Sequence, residues 1–219
     1  MIKAILFDMD GILFDSEKYY MLGTYTWLKE LGFQGEIEDL FGVIGTTMEE
    51  TYQFFIELLE DKYTYQEIKN INENYFNSHK MDYKNIMFDG VDTCLQHLSK
   101  EGYRLACCSS SPKDNIIESL TEMGIIDCFE VILSGEEFEQ SKPNPEIYLK
   151  ACEKLGVRTS EAIVYEDSNR GIMAGINAGI ITIARKEERF NLDQTPANYI
   201  VENIQGLEEK VKEINIWKK

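Results

Sequence analysis

The chain has 219 residues, of which 43% are hydrophobic and 11% aromatic, so it can bury a core and is not an intrinsically disordered protein. Its formal net charge of −17 argues against nucleic acid or an anionic membrane as a partner, because both are bound through clustered lysines and arginines. The apolar start is too short for a signal peptide, and no apolar run reaches the roughly 18 residues that a membrane span needs.

The predicted elements alternate between short apolar strands and helices. Strands are predicted at residues 2–7, 103–108, 131–133, 162–165 and 180–184. Most of them are apolar without strict alternation, as expected for strands that are covered on both faces. Helices are predicted at residues 91–100, 113–123 and 145–155, with a closing amphipathic helix at 206–219. This alternation predicts an α/β fold with a parallel, Rossmann-like sheet.

Between residues 15 and 84 the pattern changes to helical periodicity without a strand signal. Candidate helices lie at residues 17–31, 48–59 and 65–81. The stretch interrupts the first strand–helix unit directly after its strand. We therefore predict an all-helical cap domain, residues 15–84, inserted into an α/β catalytic core of residues 1–14 and 85–219. A helical insert at the active edge of a sheet is suited to act as a lid.

Polar segments follow the predicted strands, where open α/β sheets bind ligands. Acids at the end of a buried strand are costly to desolvate unless they are paired or bind a metal. Two acids after the first strand therefore predict a cation site with a second carboxylate for chemistry. The four segments are Asp8-Met9-Asp10-Gly11, Cys108-Ser109-Ser110-Ser111, Ser141-Lys142-Pro143 and Tyr165-Glu166-Asp167-Ser168.

Together the four segments would supply a nucleophilic carboxylate, further acids for a hard cation, hydroxyls with helix N-terminal amides, and one ammonium group. Mg²⁺ prefers oxygen ligands and can bridge protein carboxylates and a substrate phosphate. Hydroxyls and amides at a helix N-terminus suit an anion. The set fits phosphoryl transfer, in which positioning and charge neutralisation do most of the catalysis.

The order Asp-x-Asp-Gly, Ser, Lys-Pro, Glu-Asp, with a helical insert after the first motif, resembles the haloacid dehalogenase superfamily. It is most similar to the β-phosphoglucomutase-like phosphatases with a helical cap. The resemblance implies that Asp8 attacks phosphorus and forms an aspartyl-phosphate. It also implies that Asp10 acts as the general acid and then the general base, and that its backbone carbonyl binds Mg²⁺.

The resemblance assigns roles to the other three segments as well. Ser109, with Ser110 beside it, would bind the transferring phosphoryl group. Lys142 would neutralise that group and orient the nucleophile. Glu166 and Asp167 would complete the metal site together with the two acids of the first motif, although Glu166 could instead serve mainly to support the ligands.

Two positions argue for a phosphatase over a phosphomutase. In the mutase branch, a histidine lies a few residues past the first motif, and a Gly-x-x-Arg in the cap grips the sugar phosphate. Here Tyr20 stands at the first position, and the second segment reads Gly45-Thr46-Thr47-Met48. An arginine fork binds phosphate with two hydrogen bonds, whereas a thioether cannot. We predict a Mg²⁺-dependent phosphatase for a small organic phosphomonoester such as a sugar phosphate, with a β-phosphoglucomutase-type mutase as the alternative.

Other classes remain as weaker alternatives. A non-catalytic protein that binds a phosphorylated metabolite would have no need of all the charged catalytic positions, which are present here. Dehalogenation needs no metal, so the Glu166-Asp167 pair argues against it. The odd count of five cysteines and the isolated histidines argue against disulfides and zinc, so a cytoplasmic protein is expected. A monomer is expected because the cap encloses the site without help.

Overall fold

In a computed structural model, residues 1–43, 46–190 and 192–217 are described. The chain divides into two compact units. The α/β unit comprises Met1–Asp15 and Tyr83–Lys219, and the helical unit comprises Ser16–Asp82. The boundaries predicted from sequence, after residues 14 and 84, differ from these by one and two residues.

The described residues of the helical unit form three α-helices and a 3₁₀ helix. The α-helices are α1 (Ser16–Glu30), α2 (Met48–Leu58) and α3 (Tyr65–Ser78), and the 3₁₀ helix spans Ile37–Val43. Thr47 and Thr64 begin α2 and α3 with matching capping boxes, in which each threonine exchanges hydrogen bonds with a glutamate three residues later. Apolar side chains from the three α-helices and the 3₁₀ helix form the core of the helical unit.

One six-stranded sheet forms the centre of the α/β unit, with the strand order β3-β2-β1-β4-β5-β6. Every neighbouring pair is parallel. The predicted parallel α/β fold is therefore confirmed. The strands are β1 (Ala4–Phe7), β2 (Arg104–Ser109), β3 (Val131–Ser134), β4 (Ala162–Glu166), β5 (Ile181–Arg185) and β6 (Tyr199–Val201).

The described residues of the α/β unit form six α-helices besides short 3₁₀ helices. The α-helices are α4 (Tyr83–Ile86), α5 (Val91–Lys100), α6 (Lys113–Glu122), α7 (Glu146–Lys154), α8 (Asn169–Asn177) and α9 (Ile204–Trp217). Helix α7 packs its apolar face, including Tyr148 and Ala151, against buried side chains of the central strands. In the described ranges, no helix is long and apolar enough to cross a lipid bilayer.

The chain segments on either side of the helical unit are paired with each other. Phe14 and Met87 form an antiparallel bridge. The Asp15 amide donates to the Ile86 carbonyl at 2.9 Å, and the Phe88 amide donates to the Leu13 carbonyl at 3.1 Å. We call these residues, 13–15 and 86–88, the stem. All of it belongs to the α/β unit.

Candidate active site

Three adjacent strands bring the predicted site segments to one edge of the sheet. In the parallel register, Phe7 of β1 lies opposite Cys107 of β2 and Tyr165 of β4. The residues that directly follow these three therefore lie side by side at the same edge of the sheet. The Asp8 amide donates to the Tyr165 carbonyl at 3.0 Å. This alignment follows from the chain direction of parallel strands and explains how distant parts of the sequence meet.

Lys142 joins these strand ends from the segment between β3 and α7. Its ammonium nitrogen donates to Asp8 Oδ1 at 2.5 Å, to Glu166 Oε1 at 2.8 Å and to the Cys108 carbonyl at 2.9 Å. The side chain is buried, and its Nζ lies 4.9 Å from the centre of the Tyr148 ring. Each of the three ammonium hydrogens thus has an acceptor. The positive charge is therefore held between two carboxylates.

Glu166 is fully buried, and both of its carboxylate oxygens accept hydrogen bonds from protein groups. Oε1 accepts from Lys142 and, at 3.0 Å, from the Tyr148 hydroxyl. Oε2 accepts from the Asp167 amide at 3.0 Å and from the amide and hydroxyl of Ser168, both at 3.1 Å. A carboxylate that is occupied in this way orients its neighbours better than it ligates a cation.

The acids outnumber the cations at this edge. Oxygen atoms of Asp8, Glu166 and Asp167 all lie within 4.8 Å of one another. Burial raises the pKa of Asp8 above its ordinary value, repulsion by Glu166 adds to this effect, and Lys142 opposes both. Burial alone would lower the pKa of Lys142, but the two carboxylates it contacts outweigh burial and raise that pKa well above its usual value.

Three close carboxylates and one ammonium leave an excess of buried negative charge. A hard divalent cation would neutralise that excess, and carboxylate oxygens are the ligands that such a cation prefers. The donor set therefore fits a magnesium-type ion. Asp10 does not belong to this group of three: its Oδ2 accepts a hydrogen bond from the Ser111 hydroxyl at 2.9 Å.

Gly11 makes the turn that follows the two aspartates. Its φ of +71° lies in the left-handed region, and its amide donates to the Phe14 carbonyl at 3.0 Å. A Cβ at this position would lie 2.1 Å from Oδ2 of Asp167, so the Asp167 carboxylate occupies the space that a side chain would fill. On the other side, Arg185 Nε donates to the Gly11 carbonyl at 2.5 Å.

The three serines after β2 have different environments. Ser109 is buried, and its hydroxyl accepts from the Ser111 amide at 3.0 Å. Ser111 in turn contacts Asp10, as described above. Ser110 is exposed, and its backbone lies close to Gly135, where a Cβ would be in tight contact with the Ser110 Cα at 3.1 Å. The structure thus links Ser109 to Asp10 through Ser111, and it leaves Ser110 at the surface.

Several contributing residues are not among the sequence-predicted site residues, and they include Ser111, Tyr148 and Gln194. Ser111 and Tyr148 contact Asp10 and Glu166, and Gln194 donates from Nε2 to the Asp167 carbonyl at 2.6 Å. The triple serine carries a signal for Ser111. The sequence carries no such signal for Gln194, because it lies in a segment between β5 and β6 that has no motif.

In the helical unit, Tyr20 is half-exposed, and its ring lies 5.3 Å from that of Phe76 in an edge-to-face arrangement. Met48, the first residue of α2, is 56% exposed. Gly45, the first residue of the segment compared with the mutase motif, lies outside the described residues.

The sequence matches known proteins over most of its length. Residues 5–185 match the haloacid dehalogenase-like hydrolase family. The chain is 30% identical over 181 residues to the phosphorylated carbohydrates phosphatase of Thermotoga maritima, covering 81% of this chain and 82% of that protein. It is 28% identical over 181 residues to the phosphoglycolate phosphatase of Aquifex aeolicus, covering 82% and 83% of the two chains.

Two solved structures share the fold. A haloacid dehalogenase family hydrolase from Deinococcus radiodurans, with bound phosphate and sodium, matches with a TM-score of 0.83 and 21% identity, covering 97% of this chain and 96% of that one. The β-phosphoglucomutase of Clostridium difficile matches with a TM-score of 0.69 and 23% identity, covering 99% and 100%. At these identities, the likeness shows the fold alone.

Proposed function

Because the chain belongs to the haloacid dehalogenase-like hydrolase family and is a phosphohydrolase, we propose that it is a Mg²⁺-dependent phosphatase of a small organic phosphomonoester. The reaction proceeds through an aspartyl-phosphate on Asp8. The observation that carries the proposal is the position of Lys142, whose ammonium bridges Asp8 and Glu166 beside Asp167.

The carboxylates of Asp8 and Asp167, with the main-chain carbonyl of Asp10, are the groups that would hold the cation. When bound, Mg²⁺ supplies positive charge that offsets the repulsion between the nucleophile and the phosphate. Glu166 keeps Lys142 and the Asp167 backbone in place, because its oxygens already accept from both. The buried excess of carboxylates supports this assignment.

In the first step, a carboxylate oxygen of Asp8 attacks phosphorus, and the bond between phosphorus and the ester oxygen breaks. The departing alcohol takes a proton from Asp10. Lys142 holds Asp8 through Oδ1 and provides positive charge near the transferring group. Ser109 provides a hydroxyl at the end of β2 for the phosphoryl oxygens.

In the second step, a water molecule attacks phosphorus of the aspartyl-phosphate, and Asp10 takes a proton from it. The bond to Asp8 breaks, phosphate leaves, and the carboxylate is restored. The same residue serves as acid and then as base, so no other proton carrier is needed. The Ser111 hydroxyl orients Asp10 for both transfers.

A phosphomutase is the second candidate, since the β-phosphoglucomutase structure shares this fold. Such an enzyme must hold a second phosphate while its intermediate reorients. Met48 presents an exposed thioether at the position where the mutase branch has arginine. A thioether donates no hydrogen bonds, which favours simple hydrolysis.

The test is phosphate release from a panel of phosphomonoesters, with Mg²⁺ or with a chelator. We expect release that the chelator abolishes and added Mg²⁺ restores. Asp8→Asn is expected to abolish release, because the amide is a poor nucleophile of nearly the same shape. Asp127→Asn makes the same change of charge on an exposed residue and is expected to retain wild-type activity.

Circular dichroism would show that both variants are folded. Turnover by folded Asp8→Asn, or release that the chelator leaves unchanged, would contradict the proposal. Formation of glucose 6-phosphate from β-glucose 1-phosphate without phosphate release would favour the mutase.

A further inference from the structure

A buried glutamine joins the segment between β5 and β6 to the end of β4. The side chain of Gln194 is buried, and its Nε2 donates to the Asp167 carbonyl at 2.6 Å and to the Arg185 carbonyl at 2.7 Å. Its Oε1 accepts from the Glu187 amide at 3.1 Å. Both hydrogens and the oxygen of the side-chain amide therefore have partners. All three partners are main-chain groups, so this side chain fixes the course of the backbone on two strands.

The turn that carries Gln194 is itself ordered. The Asp193 carboxylate accepts from the amide of Thr195 at 3.1 Å and from its hydroxyl at 2.6 Å, as in an Asx turn. The Asp193 carbonyl accepts from Nδ2 of Asn169, the first residue of α8, at 2.8 Å. The position of the Gln194 amide is therefore defined by the turn on which it lies.

Arg185, the last residue of β5, connects the glutamine to the turn after β1. Its carbonyl accepts from Gln194, and its Nε donates to the Gly11 carbonyl at 2.5 Å. The guanidinium also donates from Nη2 to Glu187 Oε2 at 2.9 Å, and it lies 4.4 Å from the centre of the Phe88 ring. These contacts hold the guanidinium in one orientation against the Gly11 main chain.

Gly11 and Asp167 complete a ring of contacts with Gln194 and Arg185. A Cβ at Gly11 would lie 2.1 Å from Asp167 Oδ2, so the Asp167 carboxylate is packed directly against this turn. We call these four residues the contact ring, and all of them belong to the α/β unit. The ring holds the carbonyl of Asp167 on one side and its carboxylate on the other.

The position of the Asp167 carboxylate matters because Mg²⁺ tolerates little error in its ligands. This ion binds oxygens at about 2 Å and in near-octahedral geometry. Oxygens of Asp8 and Asp167 lie within 4.8 Å of each other, as a shared cation requires. Without the two donors of Gln194, two buried carbonyls would lose their hydrogen bonds, and the Asp167 main chain would shift toward other partners.

We propose that Gln194 is a positioning residue for the cation site, and that it sets the affinity of this site for a divalent cation through the main chain of Asp167. The inference rests on the proposed phosphatase function and assigns part of its machinery to the segment between β5 and β6. In this role Gln194 contacts neither the cation nor the substrate. The role needs an amide that donates twice, which a carboxylate of the same size cannot do.

Gln194→Met tests the role, because it keeps the length of the side chain and removes both donors. Calorimetric titration of the whole protein with MgCl₂ should show that the Kd for Mg²⁺ rises by about tenfold or more, the effect of removing a group that orients a metal ligand. In the phosphatase assay, the Mg²⁺ concentration that gives half the maximal rate should rise by the same factor. KM for the phosphomonoester at saturating Mg²⁺ should change little.

Asn215→Leu is the matched control, because Asn215 is also a side-chain amide that bridges two parts of the α/β unit. Its Oδ1 accepts from the Ile2 amide at 2.6 Å, and its Nδ2 donates to the Tyr103 hydroxyl at 3.0 Å. Ile2 and Tyr103 precede β1 and β2, so this bridge lies at the opposite edge of the sheet from Asp167. The control should lower Tm and leave the Kd for Mg²⁺ unchanged. Equal Kd values in Gln194→Met and Asn215→Leu would overturn the inference.

Gln194→Glu distinguishes positioning from a simple effect of charge. The carboxylate has the same size, but its oxygens would face the carbonyls of Asp167 and Arg185 where the amide donates hydrogens. Positioning predicts weaker binding of Mg²⁺, although the variant adds a negative charge near the site. Tighter binding by the variant, shown to be folded by circular dichroism, would contradict the inference, because added charge alone attracts a cation.

The titration requires no turnover, so it separates failure of this inference from failure of the proposed function. A raised Kd in Gln194→Met supports the inference even if no ester is hydrolysed, whereas absence of hydrolysis by the wild-type protein would overturn the phosphatase. Wild-type affinity for Mg²⁺ in Gln194→Met, together with phosphate release that a chelator abolishes, would overturn the inference and leave the phosphatase intact.

Discussion

Buried Glu166 and Tyr148 control how Lys142 meets Asp8. The Tyr148 hydroxyl and the Lys142 ammonium donate to the same oxygen of Glu166, and the tyrosine ring lies beside the ammonium. Oε1 of Glu166 therefore accepts from two donors. If one donor is lost, the carboxylate interacts more strongly with the remaining one, and Lys142 is drawn away from Asp8.

Tyr148→Phe tests this arrangement because it retains the ring and removes the hydroxyl. A hydrogen bond to a charged group contributes about 1.5–3 kcal/mol, so we expect kcat to fall by about tenfold or more. KM should change little, since Tyr148 lies beneath Lys142 in the core. Steady-state kinetics would show whether kcat falls while KM stays the same. If the loss of kcat, expressed as a free energy, equals the loss in the free energy of unfolding and the pH–rate profile is unchanged, the role of Tyr148 is purely structural.

At the scale of residues, the sequence indicates which side chains belong to the candidate site better than it indicates which groups they contact. The acids and Lys142 are recognisable because each follows an apolar strand or precedes a proline. Ser110 and Ser111 are indistinguishable in a run of three serines, yet the backbone turn exposes one and directs the other to Asp10. The sequence predicts Glu166 as a metal ligand or as a residue that supports the ligands, and it does not show the donors that surround its two oxygens.

At the scale of elements, the turn after β1 depends on glycine for two separate reasons. The φ of Gly11 is unfavourable for other residues, and the Asp167 carboxylate fills the place of a side chain. A related fit occurs at the start of α8, where a Cβ at Gly171 would lie 1.6 Å from Glu166 Oε1. Both acids of the fourth segment are thus packed against glycines.

Comparison of Gly11→Ala with Gly124→Ala separates the two reasons. The φ angles are +71° and +73°, but no atom lies within 4 Å of a Cβ at Gly124. Each variant should lose about 1–2 kcal/mol of stability from the left-handed backbone. In Gly11→Ala alone we expect kcat to fall by about a hundredfold, because Asp167 must move. Thermal unfolding and phosphate release would check this, and similar activities in the two variants would contradict it.

Most elements were predictable from local signals, with errors at their ends. The helix predicted at 91–100 is observed as Val91–Lys100, and the capping boxes explain the correct starts of α2 and α3. The sequence pattern does not predict strand β6, because this strand is three residues long, lies at the sheet edge and is partly exposed. The sequence does not predict the short helix α4 either, because too few residues carry its pattern.

At the scale of the whole molecule, each unit has its own core. Buried Ile68 belongs to a cluster made of helical-unit residues, and buried Leu155 belongs to a cluster made of α/β-unit residues. The two clusters share no residue. Damage to one core should therefore act first on the unit that contains it.

Ile68→Ala and Leu155→Ala form a matched pair for this expectation. Removal of a buried aliphatic side chain costs about 2–5 kcal/mol. Hydrogen exchange followed by mass spectrometry should show that Ile68→Ala reduces protection mainly in α1, α2 and α3. Leu155→Ala should reduce it mainly in the central strands and α7. Equal loss of protection across both units in either variant would argue for a single cooperative core.

The stem also bears on how the fold could change in evolution. Because the segments before and after the helical unit are hydrogen-bonded to each other, the α/β unit closes the connection itself. The conformational cost of closing the loop is then met at its base and depends only weakly on how many residues the loop contains. A different insert could be grafted at the same junction without rebuilding the sheet. Evolution and protein engineering can thus exchange the insert while the sheet and its strand ends are retained.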